Sequence, residues 1–356
     1  MERVKSRLRI AGGAQNLWTT LILMHIQLSF TRNLLLSQHM KTPKLLRAAL
    51  FASALFTANM ASAQDAPDAA IDPASLNELT PVGSGPPTVD ADPALWVVKD
   101  KDTTIYLFGT VHILKPNLGW FDEAVKTAFD ASDTLVLELV QPPADKMQAL
   151  FIDLAIDKSG KTLRSKMNDE DRAKYDAAMA KLGLPITQFD PFDPWAAAVT
   201  LQLVTLSKDG FDPGSGAESV ITSAATQAKK EIIGLETAEY QLGIFDTLPE
   251  EKQIRFLIDG SSDLDKGKEV MNSLVDSWAS GNVNGLAKLM NDGLTDPVLY
   301  DRLLTQRNAN WAKWIKERMA KPGTVFVAVG AGHLGGKTSV QKLLKKQKLK
   351  AKRVKY

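Results

Sequence analysis

The sequence contains no cysteine. The chain therefore forms no disulfide, and it offers no thiolate as a nucleophile or as a metal ligand. Any metal site must be built from histidine and carboxylate side chains. Histidine is scarce as well, with four residues in a chain of 356. Chemistry that needs an imidazole therefore has few positions to choose from.

Positive charge is also scarce outside the N-terminal region. Residues 1–63 hold eight of the 43 Lys and Arg residues and one of the 41 Asp and Glu residues, so the remainder has 35 bases, 40 acids and a net charge of −5. Nucleic-acid complexes draw much of their affinity from phosphate neutralisation by Lys and Arg. We therefore exclude nucleic acid as a general partner.

The N-terminal region lacks an apolar run long enough to span a membrane, which takes about 20 residues. The run Ala48–Thr57 follows a basic start after Met40 and precedes the small-residue pattern Ala61-Ser62-Ala63. These features predict a secretory signal peptide over residues 40–63, cleaved after Ala63, and a periplasmic or secreted protein. Residues 1–39 are then an upstream extension outside the native protein. The alternative is an inner-membrane anchor, if translation begins at Met1.

The rest of the chain has the composition of a globular protein, with 44% hydrophobic and 24% charged residues overall. Residues 64–94 are rich in Ala, Pro, Asp and Gly, which is typical of a flexible linker. We expect one folded domain over residues 95–356.

Strand and helix patterns alternate through this domain. Leu95–Val98 and Thr103–Gly109 flank a polar turn and predict a hairpin. Helical spacing over Trp120–Ser132, followed by the apolar run Thr134–Leu139, predicts a β-α-β unit. Helical patterns then continue to residue 206 and predict a helical insertion before the short strand Glu231–Glu236. The fold class expected is α/β, with a mixed central β-sheet flanked by helices.

The C-terminal half repeats the alternation. We expect helices over Pro249–Trp278 and Asp301–Met319, then a buried strand over Gly323–Gly330. A last helix near Ser339–Lys346 leads to an edge strand within Lys350–Tyr356. The tail from Lys337 onward has nine Lys and Arg in twenty residues. That density is typical of a solvated helix face, or of a contact with anionic polysaccharide or a membrane surface.

The two histidines of the mature region occupy matching positions. Gly109-Thr-Val-His112 and Gly330-Ala-Gly-His333 each follow an apolar strand. Ligands of open α/β sheets bind outside the carboxyl ends of the strands, where a glycine permits a sharp turn and close approach. A single histidine there is more often structural. Two, with no others in the region, predict a shared site.

The sequence resembles the TraB/GumN (TraB/PrgY/GumN) family over roughly Leu95–Tyr356. The resemblance rests on the two Gly-x-x-His motifs in order and on the runs LWVVKDKDTTIYLFGTVHILKP, TLVLEL, IIGLETAEYQLGIFDTLP, RNANWAKWI and VFVAVGAGHLGG. Relatives of this family include the Tiki metal-dependent proteases and a wider superfamily like erythromycin esterase and ChaN. The resemblance implies an erythromycin-esterase/ChaN-like fold.

The resemblance also implies roles for particular residues. His112, His333 and Glu138 would be metal ligands, or acid and base groups in esterase-like relatives. Glu138, Glu236 and Arg307 would be catalytic, with Arg307 binding a carboxylate or an oxyanion, while Gly109 and Gly330 would shape the loops. Structural alternatives remain open, namely a capping carboxylate at Glu138, ordinary helix-start chemistry at Glu236 and a structural salt bridge at Arg307.

Together these residues suit a metal-dependent hydrolase, and the resemblance implies a peptidase of the Tiki type. Two imidazoles and one or two carboxylates suit Mn, Co or Zn with an open position for water. The partner would be a peptide or small-molecule substrate. Two other hypotheses remain: a non-catalytic protein that binds a peptide or polysaccharide, and a metal-independent esterase-like hydrolase.

Overall fold

The computed structural model describes residues 89–114, 117–209, 211, 213–262, 264–291, 294 and 296–356. These residues all belong to one compact unit. The predicted extension 1–39, the signal peptide 40–63 and most of the predicted linker 64–94 lie outside them. No helix in the described ranges is both long and apolar enough to cross a membrane.

A six-stranded mixed sheet forms the centre of the domain, which confirms the predicted fold class. Its strands are β2 (Leu95–Lys99), β3 (Thr103–Thr110), β5 (Thr134–Leu139), β6 (Glu231–Glu236), β7 (Gly323–Gly330) and β8 (Lys352–Arg353), in the order β6-β5-β7-β3-β2-β8. The pairs β6-β5, β5-β7 and β7-β3 are parallel. Strand β2 pairs antiparallel with both β3 and β8. Two short strands, β1 (Val89–Asp90) and β4 (Leu118–Gly119), form a separate pair that sequence reasoning missed.

The predicted hairpin is confirmed as β2 and β3. Leu95 pairs with Phe108 and Lys99 with Thr104. The carboxylate of Asp100 accepts backbone hydrogen bonds from Asp102 (3.2 Å) and Thr103 (2.9 Å), which is the usual role of aspartate at a turn.

The strand β7 lies between β3 and β5, and its register fixes the position of both Gly-x-x-His motifs. Thr110 is opposite Gly330 in the parallel pair of β3 and β7. Because parallel strands end at the same edge of the sheet, both motifs leave the sheet side by side. Such strands are buried on both faces, and the last six residues of β7 are all buried.

Helices cover both faces of the sheet. They are α1 (Glu123–Asp130), α2 (Ala144–Ala155), α3 (Asp169–Leu182), α4 (Pro194–Lys208), α5 (Ala217–Gln227), α6 (Ala238–Asp246), α7 (Glu250–Ser261), α8 (Leu264–Ala279), α9 (Val283–Asn291), α10 (Pro297–Tyr300), α11 (Gln306–Arg318) and α12 (Val340–Lys346). One face packs on α1, α5 and α8, and the other on α11 and α12. The predicted insertion between β5 and β6 is present as α2–α5, and α2–α4 share a hydrophobic core with α6 and α7.

Two predicted helices differ from the structure. The helical pattern over Pro249–Trp278 contains two helices, because α7 ends at Ser261 and α8 begins at Leu264. The predicted helix Asp301–Met319 opens with a π-helical turn over Asp301–Thr305, which joins α10 to α11. Hydrophobic periodicity does not detect a single wide turn, because it only shifts the spacing of later residues.

Candidate functional site

The structure brings the predicted site residues together at the carboxyl edge of the sheet. Glu138 lies near the end of β5 and Glu236 is the last residue of β6. His112 follows β3, and His333 lies in a 3₁₀ turn (Ala331–Leu334) that follows β7. Arg307 reaches the same edge from the first turn of α11.

Arg307 is the centre of this group. Its Nη2 lies 2.6 Å from Glu138 Oε2 and 2.8 Å from Glu236 Oε2. Its Nε donates to Glu236 at 2.9 Å and 3.0 Å. Burial favours the neutral form, but the two carboxylates outweigh it and raise the pKa of Arg307 further. The guanidinium is therefore a fixed positive charge at the edge of the sheet.

Glu236 positions this guanidinium. Besides Arg307, its carboxylate accepts hydrogen bonds from Trp311 Nε1 (2.9 Å) and Gln241 Nε2 (2.9 Å). Arg307 and Trp311 are one turn apart on α11, and the guanidinium carbon lies 4.8 Å from the centroid of the Trp311 ring. Both oxygens of Glu236 are thus occupied by donors, which suits an orienting carboxylate better than a general base.

Glu138 carries the second carboxylate of the cluster. Its Oε1 accepts the backbone N–H of Gly330 at 2.6 Å, and its Oε2 accepts from Arg307. Burial acts to raise the pKa of Glu138, but Arg307 and the two histidines outweigh burial and hold the pKa at about 2. Glu138 is therefore ionised at neutral pH and acts only as an acceptor.

His333 is held as a neutral imidazole. Its Nδ1 lies 2.6 Å from Asn308 Oδ1, and Asn308 in turn donates its amide to the carbonyl of Thr338 at 2.9 Å. The second nitrogen, Nε2, lies 3.1 Å from Arg307 Nη1. Asn308 therefore accepts from Nδ1–H, which leaves Nε2 to accept from Arg307. Burial and the neighbouring guanidinium lower the pKa of His333 to about 3.

His112 has a different partner. Its Nδ1 lies 2.7 Å from Glu218 Oε1, in the first turn of α5. The N–H of Ala217 donates to the carbonyl of Val111 at 3.0 Å, so α5 is fixed to the loop that carries the histidine. Burial lowers the pKa of His112, but the charge and hydrogen bond of Glu218 outweigh burial and raise it above 6.5 overall.

The two motif glycines permit the close approach of these groups. A Cβ on Gly330 would lie 3.1 Å from Glu138 Oε1 and 3.7 Å from His112 Nε2. A Cβ on Gly109 would lie 3.0 Å from both Cα and Cβ of Ala331. His112 Nε2 and Glu138 Oε1 therefore both lie within 4 Å of one point above Gly330.

A cavity of about 60 Å³ opens beside this point. His112, Glu138, Gln241, Arg307 and His333 are among the residues that line it, and most of the others are aliphatic. One water needs roughly 10–15 Å³ of such a cavity, so the cavity admits a few waters or a small part of a ligand.

The predicted metal ligands fit a cation only in part. Within the described ranges, no group of three or more His, Asp and Glu side chains is arranged to hold a metal ion. His333 Nε2 faces Arg307, whereas His112 Nε2 and Glu138 Oε1 share the point above Gly330. Only these two of the three predicted ligands thus lie near a common point, and the Mn, Co or Zn centre at His112, His333 and Glu138 stays a prediction.

Sequence reasoning missed four residues that the structure adds. They are Glu218, Gln241, Asn308 and Trp311, which bind His112, Glu236 and His333. Glu218 and Gln241 had no detectable signal, because each lies in an ordinary helical pattern. Asn308 and Trp311 belong to the Arg-Asn-Ala-Asn-Trp run, and their spacing from Arg307 on a helix was the available signal.

Comparison with known proteins places this chain in a family. A sequence model of the TraB/PrgY/gumN family matches residues 94–353. The chain is 24% identical over 258 residues to "Uncharacterized protein YbaP" of Escherichia coli strain K12, across 71% of this chain and 92% of that protein. A protein of Treponema pallidum strain Nichols is 24% identical over 276 residues, across 71% of this chain and 80% of the relative. No solved structure matches the chain.

The matched range contains both Gly-x-x-His motifs, Glu138, Glu236 and Arg307. It begins one residue before β2 and ends with β8, so it covers the whole central sheet. The chain belongs to the TraB/PrgY/gumN family.

Proposed function

We propose that this protein is a hydrolase of amide or ester bonds, with a peptide as the substrate class. One observation carries the proposal: His112, held by Glu218, and the ionised Glu138 share a point in a cavity that also contains the fixed charge of Arg307. A base oriented by a carboxylate, beside a preorganised positive charge, is the arrangement that water-dependent acyl cleavage needs.

His112 supplies the base in this mechanism. Its Nδ1–H faces Glu218, which fixes the tautomer and leaves the lone pair of Nε2 in the cavity. A water between Nε2 and Glu138 gives a proton to Nε2 while its oxygen bonds to the carbonyl carbon. The electron pair of the carbonyl bond then moves to oxygen, whose negative charge Arg307 stabilises.

The same histidine completes the reaction. When the bond to the leaving group breaks, the electron pair stays with the leaving nitrogen or oxygen. His112 Nε2 returns its proton to that atom. Glu138 keeps the water oriented by accepting its second proton in a hydrogen bond, and Glu236 holds Arg307 in place. Where a divalent cation binds, His112 and Glu138 would hold it, and it would supply water of lowered pKa.

The test compares the full chain with His112→Asn and Glu218→Gln on a pool of synthetic peptides, with products read by mass spectrometry. We expect the wild type to cleave peptides, His112→Asn to lose cleavage, and all three proteins to keep the same circular dichroism spectrum. Equal cleavage by wild type and His112→Asn contradicts the proposal. Binding of peptides or polysaccharide without cleavage favours the non-catalytic hypothesis instead.

Metal dependence is tested on the same proteins. Elemental mass spectrometry and activity are measured after EDTA treatment and again after addition of Mn²⁺, Co²⁺ or Zn²⁺. Activity that returns only with a cation, bound by wild type and not by His112→Ala, supports a metal-dependent hydrolase. Activity unchanged by EDTA supports the metal-independent mechanism. Secretion and a contact of the basic tail with an anionic surface remain predictions.

A further inference from the structure

The lining of the cavity has two chemically distinct parts. Every ionisable residue that lines it belongs to the cluster of His112, Glu138, Arg307 and His333. The rest of the lining consists mainly of aliphatic and methionine side chains. We call those from α4, α6, α8 and α9 the apolar wall, which comprises Leu206, Ile244, Met271, Leu274, Leu286 and Met290.

The apolar wall is built from distant parts of the chain. Leu206 belongs to the insertion, Ile244 follows β6, and the other four residues come from α8 and α9. Met271, Leu274 and Leu286 are also buried in the hydrophobic core of the domain. The wall is therefore a continuation of the core that remains open to the cavity beside the polar cluster.

Such a wall selects ligands by their apolar surface. Binding pockets commonly join an apolar lining to a few placed polar groups that fix the orientation of the ligand. An ionised or strongly polar group against this wall would lose water without gaining a partner. An aliphatic group of matching size would instead bury its surface there.

We propose that the apolar wall binds an aliphatic side chain of a peptide, next to the bond that the polar cluster cleaves. The inference rests on the proposed hydrolase function and adds the substrate class. The volume of about 60 Å³ favours a compact side chain over a fatty acyl chain. Met271 and Met290 adapt the wall to leucine or methionine, because methionine side chains change shape easily.

The first experiment measures selectivity with the full chain. The probes are synthetic decapeptides of glycine and serine with one guest residue, either Leu, Met, Ser, Asp or Lys. We expect cleavage beside Leu or Met at least about tenfold faster than beside Ser, Asp or Lys, since lost methylene contacts in a pocket cost this much or more. Equal rates for the Leu and Ser peptides overturn the inference.

Variants of the wall test its location. Met271→Gln and Met290→Gln keep the length of the side chain and place an amide on the wall. We expect each to reduce the rate ratio of Leu to Ser peptides by about tenfold. Met290 is only partly buried, so its variant keeps the fold even if Met271→Gln does not. Met147→Gln, at a buried methionine away from the cavity, is the matched control and leaves the ratio unchanged.

A binding measurement separates this inference from the hydrolase proposal. If wild type cleaves no peptide, the hydrolase proposal fails, and ligand-observed NMR then compares N-acetyl-leucine amide with N-acetyl-serine amide. Selective binding of the leucine amide, weakened in Met290→Gln and kept in Met147→Gln, supports the apolar wall as a side-chain site. No binding by wild type, or equal binding of both amides, overturns it.

Discussion

Two buried cations, Lys166 and Arg307, pair with carboxylates in two regions of the molecule. The two sets of carboxylates differ in solvent exposure. Lys166, in the 3₁₀ turn Leu163–Lys166 of the insertion, has a side chain that is 2% exposed. It pairs with Asp157 and, at 3.0 Å each, with Asp193 and Glu250, and Glu250 is 53% exposed. Arg307 is 6% exposed, and its partners Glu138 and Glu236 are 12% and 6% exposed.

The difference separates a structural ion cluster from the one that we propose to be functional. Two partners of Lys166 are partly exposed, Asp193 at 25% and Glu250 at 53%, whereas Asp157 is 5% exposed. Together they join the segment after α2 to the starts of α4 and α7, which stabilises the insertion. Both partners of Arg307 are buried, and Glu138 lines a cavity together with Arg307 and the two histidines. Buried charges are costly, and a fold gains little stability from them relative to apolar packing. A buried ion cluster that also lines a cavity is therefore evidence for chemistry.

The largest effect is expected from Arg307→Met. This change leaves Glu138 and Glu236 buried without a countercharge, so we expect a loss of about 3–5 kcal/mol in the free energy of unfolding. Peptide cleavage should be abolished. Urea denaturation at pH 7 measures the first effect, and Lys316→Met on the exposed side of α11 is the matched control. A loss below about 1 kcal/mol, within the range of surface ion pairs, contradicts this account of the cluster.

Glu218→Gln should affect activity more than stability. Removing the carboxylate beside His112 should lower the rate of cleavage roughly 10–100-fold, as is common for partners that orient a catalytic or ligating histidine. Glu218 raises the pKa of His112, so its removal lowers that pKa. The acid limb of kcat/KM should therefore move to lower pH in the variant. A limb that stays in place shows that His112 is not the base.

Lys166→Met tests the ion cluster of the insertion. We expect a loss of roughly 2–3 kcal/mol in unfolding free energy, below the range for a fully buried pair, because Asp193 and Glu250 can turn to water and only Asp157 stays buried without a countercharge. Peptide cleavage per folded molecule should equal that of the wild type. Reduced cleavage at full folding would show that the insertion and the site are coupled.

Lowering the pH should reduce the free energy of unfolding through both the Arg307 cluster and the Lys166 cluster. The pKa of Glu138 lies at about 2, and hydrogen bonds from Lys166 and Ser159 outweigh burial to lower the pKa of Asp157. A carboxylate whose pKa is lower in the folded state than in the unfolded state stabilises the folded protein at a pH above the unfolded-state pKa. This stabilisation is lost as the pH falls toward the folded-state pKa. Glu138→Gln and Asp157→Asn should each flatten the fall in unfolding free energy below about pH 4.5. Only Glu138→Gln should also abolish cleavage.

The smallest effect is expected at an exposed ion pair. Lys126 and Asp130 are four residues apart on α1, with Lys126 Nζ 2.6 Å from Asp130 Oδ2 and both side chains about half exposed. Lys126→Ala should cost about 0.3–0.5 kcal/mol in urea denaturation, because solvent screens the pair. A larger loss would show that burial does not explain why Arg307, Lys166 and Lys126 contribute differently to the free energy of unfolding.

The central elements could be predicted from the sequence because their signals are local. The hairpin of β2 and β3, the apolar strands β5 and β7, and the edge strand β8 each show alternation or a continuous apolar run. The break between α7 and α8 comes directly after Gly260 and Ser261, and a glycine near a helix end was the available signal. The pair of β1 and β4 was missed because β1 lies in the Pro-rich segment 64–94 and β4 directly follows Pro116 and Asn117, which are typical of loops.

The site residues could be predicted only where topology constrains them. His112 and His333 follow strands that are adjacent in the sheet, so their approach follows from the strand pattern. Glu218 lies 106 positions from His112 along the chain, and only the packing of α5 on the loop after β3 brings them together. A single sequence contains no local signal for such a contact. The apolar wall was missed for the same reason, because its residues come from four helices.

The π-helical turn at Asp301–Thr305 makes the direction of the Arg307 side chain depend on the number of residues in that turn. A π turn is equivalent to one residue inserted into an α-helix, and each residue advances a helix by about 100°. Deletion of one residue from this turn would rotate Arg307, Asn308 and Trp311 together, away from their partners on β5, β6 and the 3₁₀ turn. The core residues Ala312 and Ile315 lie on the same helix, so such a deletion would disturb the site and the packing of α11 together.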